Sequence, residues 1–219
     1  MSPPALHVPP DAVLQALDYG SVVVFALTGA LVASRAQLDI VGFIFIACLT
    51  AVGGGTLRDL MLDRQVFWIG DPLVLAFAAA SAVAVFFGAH RLESRYRVLL
   101  WLDACALAIA VPAGVAAAGA MGMAWPVVLV MGMATGCMGG LMRDVVCNEV
   151  PLVLKQGELY VTAAFAGTVA AVSVGALGGS ADLGLLACAL ACFALRAGSI
   201  AFGCRLPVYR PRPPQVPKR

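Results

Sequence analysis

Apolar residues lie along this chain in long, uninterrupted runs that short polar connections separate. A transmembrane helix needs about 20 mostly apolar residues to cross roughly 30 Å of hydrocarbon. Strands of an outer-membrane barrel would instead alternate apolar and polar positions over about ten residues. The pattern therefore predicts an all-α membrane protein with seven transmembrane helices, over residues 14–34, 38–62, 72–90, 98–119, 123–147, 159–177 and 182–203.

The composition favours an integral membrane protein with almost no soluble part. Of the 219 residues, 62% are hydrophobic and 12% are charged, whereas soluble domains carry roughly 25% charged residues. We expect a single transmembrane domain over residues 1–203 and a disordered, Pro/Arg-rich tail over residues 204–219. The formal net charge of +2 is too small to indicate a nucleic-acid partner.

Basic residues outside the apolar runs indicate an orientation in the membrane. With seven spans, one face carries most of them: Arg35, Arg91, Arg95, Arg97, Lys155 and those of the tail. The opposite face carries Arg64, with Arg58 near a helix end. Cytoplasmic loops carry the excess of Lys and Arg. We therefore expect a multi-pass protein with its N-terminus outside and its C-terminus in the cytoplasm.

The chain matches itself without gaps when it is shifted by 85 positions. The matched residues are Thr50, Gly54, Gly55, Arg58 and Asp59 with Thr135, Gly139, Gly140, Arg143 and Asp144, and upstream Leu17, Asp18 and Gly29 with Leu102, Asp103 and Gly114. Each copy holds three predicted helices, and an odd number inverts the second copy relative to the first. The expected architecture is an inverted repeat, residues 14–90 against 98–177, with the seventh helix over 182–203 appended. Such folds place the solute pathway between the repeats.

Glycine runs occupy matching positions in the second and fifth predicted helices. Glycine has a high helix cost, so Gly53–Gly55 and Gly139–Gly140 are predicted to open both helices. Backbone carbonyls freed in this way can line a wet pore and suit a partly hydrated alkali cation. The alternative is that the glycines only let helices pack closely. The predicted pathway residues are Gly53, Gly54, Gly55, Thr56, Thr135, Gly139 and Gly140.

Charged residues follow both glycine runs. A charge within the bilayer is costly unless it is paired or hydrated. Their positions predict two symmetry-related pairs, Asp18 with Arg58 and Asp103 with Arg143. Asp59 and Asp144 stand beside the two arginines. These groups are either charged gates at the two pore mouths or neutralised charges that fix helix packing, and both interpretations stay open.

Other polar residues carry less information. Arg196 lies inside the seventh predicted helix and needs a partner or water, whereas Glu149, Lys155 and Glu158 are expected to be solvated. Five of the seven cysteines lie in apolar runs, where cysteine behaves as a small hydrophobe. No catalytic or phosphate-binding motif is present in the sequence, so we expect no enzyme and no cofactor or metal beyond transient monovalent cations.

The paired elements GGGTLRD and GGLMRD in a seven-helix chain resemble the prokaryotic trimeric intracellular cation channel family, from about Leu14 to Gly203. The resemblance implies a homotrimer in the lipids of a bacterial cytoplasmic (inner) membrane, with a pore in each protomer that conducts potassium and other monovalent cations such as sodium. It also implies that the kinked second and fifth helices bound the pore. Met138 replaces the first glycine of the second run, so that break should be milder. The same domain is also labelled a glycine transporter, so the alternative function is secondary transport of a small amino acid.

Overall fold

The computed structural model describes residues 11–91, 94–156, 158–207 and 209. Over these residues the chain is all-helical, and its α-helices are α1 (Asp11–Arg35), α2 (Ile40–Met61), α3 (Phe67–Gly70), α4 (Leu73–Gly88), α5 (Arg95–Ala120), α6 (Trp125–Val146), α7 (Val161–Ala176) and α8 (Ala181–Phe202). Short 3-10 turns cover Ala89–Arg91 and Leu152–Leu154. The tail predicted over residues 204–219 lies mostly outside the described residues.

Six of these helices are long and apolar enough to cross a membrane: α1, α2, α4 with its following 3-10 turn, α5, α6 and α8. The helix α7 is apolar as well but has only 16 residues. The prediction of an all-α membrane protein is confirmed in this form, with six candidate spans and one shorter apolar helix among the described residues. The predicted bounds fall within about three residues of the observed helices.

Local signals at the helix ends explain where the helices stop. The Asp39 side chain accepts a hydrogen bond from the Gly42 N–H, which caps the start of α2. Gly203 ends α8 in the left-handed conformation, at φ 67°. Asp63 and Asn148, which follow α2 and α6, also have positive φ angles, 51° and 54°. These two residues are 85 positions apart, so the repeat extends to the way in which both helices end.

The helices α1 and α5 form the centre of the bundle. In their most apolar windows 61% and 67% of the residues are buried, against 28% in α4 and α8. Next to this centre, α2 packs against α6 and α8 packs against α5 and α7. The peripheral helices expose large apolar side chains, among them Phe45, Phe87 and Leu186. Extensive exposed apolar surface of this kind suits a lipid environment.

The predicted helix breaks are wrong. Both glycine runs, Gly53–Gly55 and Gly139–Gly140, lie inside continuous α-helices. A Cβ atom at Gly54 would overlap the carbonyl oxygen of Thr135, and a Cβ atom at Gly139 would overlap that of Thr50. The glycines are therefore required for the close approach of α2 to α6, which is the packing alternative.

Small residues on α5 also serve contacts inside the protomer. Ala113, Gly114, Ala117 and Ala118 are all buried, and a Cβ atom at Gly114 would lie 2.5 Å from the Met131 carbonyl oxygen. Small residues let two helices approach closely. Gly114 does so between α5 and α6, and these four buried residues are not available for a contact between protomers.

Candidate functional site

A first ion-pair cluster consists of Asp18 on α1 with Arg58 and Asp59 on α2. Arg58 donates from Nη1 and Nη2 to the two carboxylate oxygens of Asp18, at 2.7 and 3.2 Å. Its Nε donates to Asp59 Oδ1 at 2.8 Å. The Arg58 side chain is fully buried. A buried charge requires this degree of pairing to be tolerated, so the cluster ties α1 to the end of α2.

The first cluster also positions the chain beyond α2. Asp59 Oδ2 accepts a hydrogen bond from the Phe67 N–H at 2.9 Å, which fixes the start of α3. The Arg58 guanidinium lies 5.5 Å from the centre of the Phe67 ring, within cation–π range. Arg64 approaches Asp59 Oδ1 at 3.5 Å and is partly exposed.

A second ion-pair cluster consists of Asp103 on α5 with Arg143 and Asp144 on α6. Arg143 donates from Nη1 to Asp103 Oδ1 at 3.0 Å and from Nε to Asp144 Oδ1 at 2.7 Å. Asp144 Oδ2 accepts from the Leu152 N–H at 2.9 Å. In addition, Arg143 Nη1 donates to the Thr28 hydroxyl at 2.8 Å, which links this cluster to α1.

The two clusters repeat the same pattern of bonds. In both, the arginine binds an aspartate 40 positions earlier and the aspartate that follows it, and this second aspartate binds a backbone N–H eight positions later. The two threonines of the repeat also match, because Thr50 and Thr135 each donate to a carbonyl four residues earlier. The duplication seen in the sequence is thus a duplication of hydrogen bonds.

The clusters differ in their access to solvent. The first cluster faces a wide cavity of about 260 Å³. That cavity is lined by Leu14, Gln15, Asp18, Tyr19, Arg64, Phe67, Asp71 and Val74. A hydrogen bond from the Tyr19 hydroxyl to Asp71 joins α1 to the segment before α4. Water can therefore reach Asp18.

The second cluster is enclosed. The side chains of Asp103 and Arg143 are fully buried. Among the described residues, Asp103 Oδ2, Arg143 Nη2 and the Tyr160 hydroxyl have no hydrogen-bond partner. The Tyr160 hydroxyl and Arg143 Nη2 lie 3.2 and 3.5 Å from the position that a Cβ atom at Gly140 would occupy. The absence of that Cβ leaves room between the polar groups.

A narrow space of about 10 Å³ lies beyond the wide cavity, between α1, α2, α5 and α6. Asp18 and Phe67 line both spaces, and the other lining residues of the narrow space are Ser21, Phe25, Ala51, Gly54, Gly55, Ala110 and Thr135. Of the predicted pathway residues, Gly54, Gly55 and Thr135 are at this space. The others contact protein groups: Gly53 faces Met142, Gly139 faces Thr50, Gly140 faces Tyr160, and Thr56 accepts a hydrogen bond from Trp68.

The structure brings together both aspartate–arginine pairs that the repeat indicated. Sequence reasoning missed Phe67, Thr28 and Tyr160, which lie outside the matched positions of the repeat. Glu149, Lys155 and Glu158, which were expected to be solvated, are only partly exposed, and all three have protein partners. Glu149 pairs with Arg35 at 3.3 Å and Glu158 with Arg196 Nη1 at 2.9 Å. Among the described residues, no group of three or more His, Cys, Asp or Glu side chains could hold a metal ion.

These features define a multi-pass helical membrane protein built on a duplicated ion-pair element. The chain belongs to the family described as "Glycine transporter", whose model matches residues 15–90 and again residues 100–176. It is 33% identical to the "UPF0126 membrane protein" of Vibrio cholerae, over 90% of this chain and 83% of that protein. It is 39% identical to the "UPF0126 inner membrane protein YadS" of Escherichia coli K12, over 70% and 74%.

The fold is also that of a solved structure, the TRIC trimeric intracellular cation channel orthologue from Rhodobacter sphaeroides. The two share 41% identity and a TM-score of 0.84, over 88% of this chain and 99% of that chain. The expected membership of the trimeric intracellular cation channel family is confirmed. The family is one of membrane proteins and not of enzymes, as expected, and it has relatives in bacterial inner membranes.

Proposed function

We propose that this protein is a cation channel whose pathway runs inside each protomer, between α1, α2, α5 and α6. The observation that carries the proposal is that Asp18 and Phe67 line both the wide cavity and the narrow space. Together they lead from the protein surface to the contact between the two repeats, where folds with internal repeats bind their solute. The 41% identity to a structure described as a cation channel supports the same function.

The lining of the two spaces suits a small, partly hydrated cation. The Asp18 carboxylate lines both spaces and attracts cations. Beyond it, Ser21 and Thr135 contribute hydroxyl oxygens, and the glycines bring backbone close to the path. Such neutral oxygen ligands are weak enough to let an alkali cation leave again. We propose potassium as the main permeant ion, with sodium also passing.

The narrow space is the constriction of the proposed pathway. Its volume of about 10 Å³ is close to the smallest that holds one water molecule. A hydrated cation needs more room, so conduction requires α2 and α6 to separate from α1 and α5 near Gly54. The sequence predicted a pore bounded by broken helices. Because α2 and α6 are continuous, we propose that the pore lies beside these helices.

The proposed topology is an inverted repeat. The Arg35 guanidinium, at the end of α1, lies 4.9 Å from the Tyr96 ring at the start of α5 and 3.3 Å from Glu149, beyond α6. The helices α1 and α5 therefore run in opposite directions. We propose repeats over residues 14–90 and 98–177, with α7 as a short span and α8 appended. Lys155 also contacts Tyr96, so basic residues gather at this end, which we assign to the cytoplasm.

We further propose a homotrimer in which each protomer keeps its own pathway. The related Rhodobacter sphaeroides protein is described as a trimeric channel. The two spaces lie within a single chain, so the axis between protomers need not conduct. Mass measurement of the purified protein in mild detergent tests the number of subunits, and a stable monomer or dimer would contradict the trimer.

Recordings from purified protein in planar bilayers test the channel. We expect unitary currents in symmetric potassium chloride, and a reversal potential in salt gradients that follows the cation. In Ser21→Val, two methyl groups replace a hydroxyl at the narrow space. We expect the unitary current to fall roughly tenfold, the effect of about 1.4 kcal/mol on a barrier.

Ser81→Val is the matched control for that variant. Ser21 and Ser81 each donate to a backbone carbonyl one helical turn earlier, three and four residues back, but Ser81 lies on α4 and outside both spaces. Its currents should equal those of the parent protein. Coupled uptake of glycine into vesicles without unitary currents would replace the channel by a transporter. Equal currents in both serine variants would move the pathway away from the narrow space.

A further inference from the structure

Arg196 on α8 is a buried cation whose hydrogen-bonding capacity is only partly used. Its side chain is fully buried, and its one close carboxylate oxygen, at 2.9 Å from Nη1, belongs to Glu158. Its Nε, Nη1 and Nη2 atoms all lack a hydrogen-bond partner among the described residues, so Glu158 neutralises the charge of Arg196 without a well-aligned hydrogen bond. A guanidinium carries five N–H donors in a fixed plane, and buried donors without partners are costly. Arg196 therefore has unused donors for an additional acceptor.

A cavity of about 170 Å³ lies beside these unused donors, at the end of α8. Arg196, Arg205 and Glu158 line it together with the hydroxyl-bearing Ser199. Two guanidinium groups and one carboxylate give the lining a formal charge of +1. Glu158 and Arg205 are held next to each other by a backbone bridge, so the second arginine is fixed at the cavity.

We propose that this cavity binds a phosphate group, either free in solution or in a lipid headgroup. Guanidinium groups match the oxygens of phosphate with paired, charge-assisted hydrogen bonds. Glu158 competes with the phosphate for Arg196, because its carboxylate already lies 2.9 Å from Nη1. The cavity is separate from both ion-pair clusters and from the proposed pathway, so phosphate binding can be tested without a conducting channel.

A phosphate bound in the cavity acts on the second ion-pair cluster through Arg196 and Tyr160. The Arg196 guanidinium lies 5.1 Å from the centre of the Tyr160 ring. The Tyr160 hydroxyl and Arg143 Nη2 both border the space beside Gly140, where a Cβ atom would lie in any other residue. A phosphate that draws Arg196 away from Glu158 weakens its stacking on Tyr160, and the phosphate thus acts on the closed half of the molecule.

The test measures the thermal midpoint of the purified protein at constant ionic strength. One arm adds inorganic phosphate to protein in detergent, with chloride as the reference salt. The other arm compares nanodiscs of phosphatidylcholine with nanodiscs that also contain phosphatidylglycerol. We expect a saturable rise of the midpoint in at least one arm. A rise with free phosphate identifies a soluble ligand, and a rise confined to phosphatidylglycerol identifies a lipid headgroup.

Three variants assign the rise to the cavity. Arg205→Gln should weaken the apparent affinity at least about threefold, the effect of one exposed ion pair. Glu158→Gln should strengthen it, because the competing carboxylate is lost. Arg91→Gln removes a basic residue elsewhere in the chain and should match the parent protein. No saturable rise in either arm, an equal rise in Arg205→Gln, or weaker binding in Glu158→Gln would overturn the proposal.

Discussion

The two ion-pair clusters pair the same three residue types at the same spacing and have different surroundings. In both, an arginine joins two aspartates at the same sequence distances. The first cluster opens onto a cavity of about 260 Å³, whereas the second is sealed by protein and leaves three polar atoms without partners. Arg58 binds both oxygens of Asp18, whereas Arg143 binds one oxygen of Asp103 and the Thr28 hydroxyl. The comparison teaches that the repeat specifies which residues pair, and that residues outside the repeat decide the remaining bonds and which cluster meets water.

The largest expected effect comes from removing each arginine. Arg143→Ala leaves two buried carboxylates without a cation, and we expect a loss of about 3–5 kcal/mol in folding free energy. Arg58→Ala should cost clearly less, because Arg64 lies 3.5 Å from Asp59 and water reaches Asp18. The thermal midpoint, read by size-exclusion chromatography after heating, measures both, with Arg91→Ala as the surface control. Equal losses would mean that the second cluster is as hydrated as the first.

The second-largest effect concerns the packing of α2 against α6, in which the two halves of the chain make equivalent contacts. Gly54→Ala and Gly139→Ala each place a methyl group on a backbone carbonyl of the facing helix. We expect each to cost about 1–3 kcal/mol through overpacking, with valine worse at both sites. Assembly should therefore fail before conduction, the reverse of what broken helices would give.

Gly198→Ala is the control for the glycine pair. Gly198 lies in α8, and a Cβ atom there meets nothing within 4 Å. Alanine should be tolerated or slightly stabilising at this site because glycine is a poor helix former. Size-exclusion profiles of the three alanine variants show which of them still assemble. If only one of the two paired glycines is sensitive, the halves have diverged in their packing as well as in their hydration.

A smaller effect is the coupling inside each cluster. Arg58→Ala combined with Asp18→Ala should cost about 0.5–3 kcal/mol less than the sum of the single changes. The same cycle with Arg143 and Asp103 should give a larger coupling, because no water screens that pair. Thermal midpoints of the six variants provide the measurement. Additive effects at the first pair would show that Asp18 and Arg58 do not stabilise each other.

The smallest effect concerns the hydroxyl group of Tyr160, whereas removal of its whole ring belongs with the large effects. Its hydroxyl has no hydrogen-bond partner among the described residues, so Tyr160→Phe should change stability by less than about 1 kcal/mol. Tyr160→Ala should remove the cover of the second cluster and cost about 3–5 kcal/mol. A cysteine introduced at Thr28, in a cysteine-free background, measures the opening of the second cluster, because a thiol reagent labels it faster when the cluster is exposed. Fast labelling already in the parent background would show that Tyr160 does not seal the cluster.

The sequence allowed the duplicated part of the site to be predicted and not the part that differs. Asp18 and Arg58 recur 85 positions later at the same spacing, which made the pairs visible. Tyr160 has no partner under that shift, since Leu75 stands at the matching position, and nothing local marks it as a cover. The glycine runs were compatible with a break and with close packing. Only the carbonyl of Thr135, brought there by folding, distinguishes the two.

The contact between α2 and α6 has the form of an interface between two identical subunits. Gly54 meets Thr135, and Gly139 meets Thr50, so each half offers the other the same pair of groups. Such reciprocity is what a twofold homodimer imposes. A chain of this kind is consistent with the fusion of two copies of one ancestral gene whose product paired with itself. Fusion lets each contact evolve alone, and Met138, at the position that matches Gly53, is one such difference between the copies.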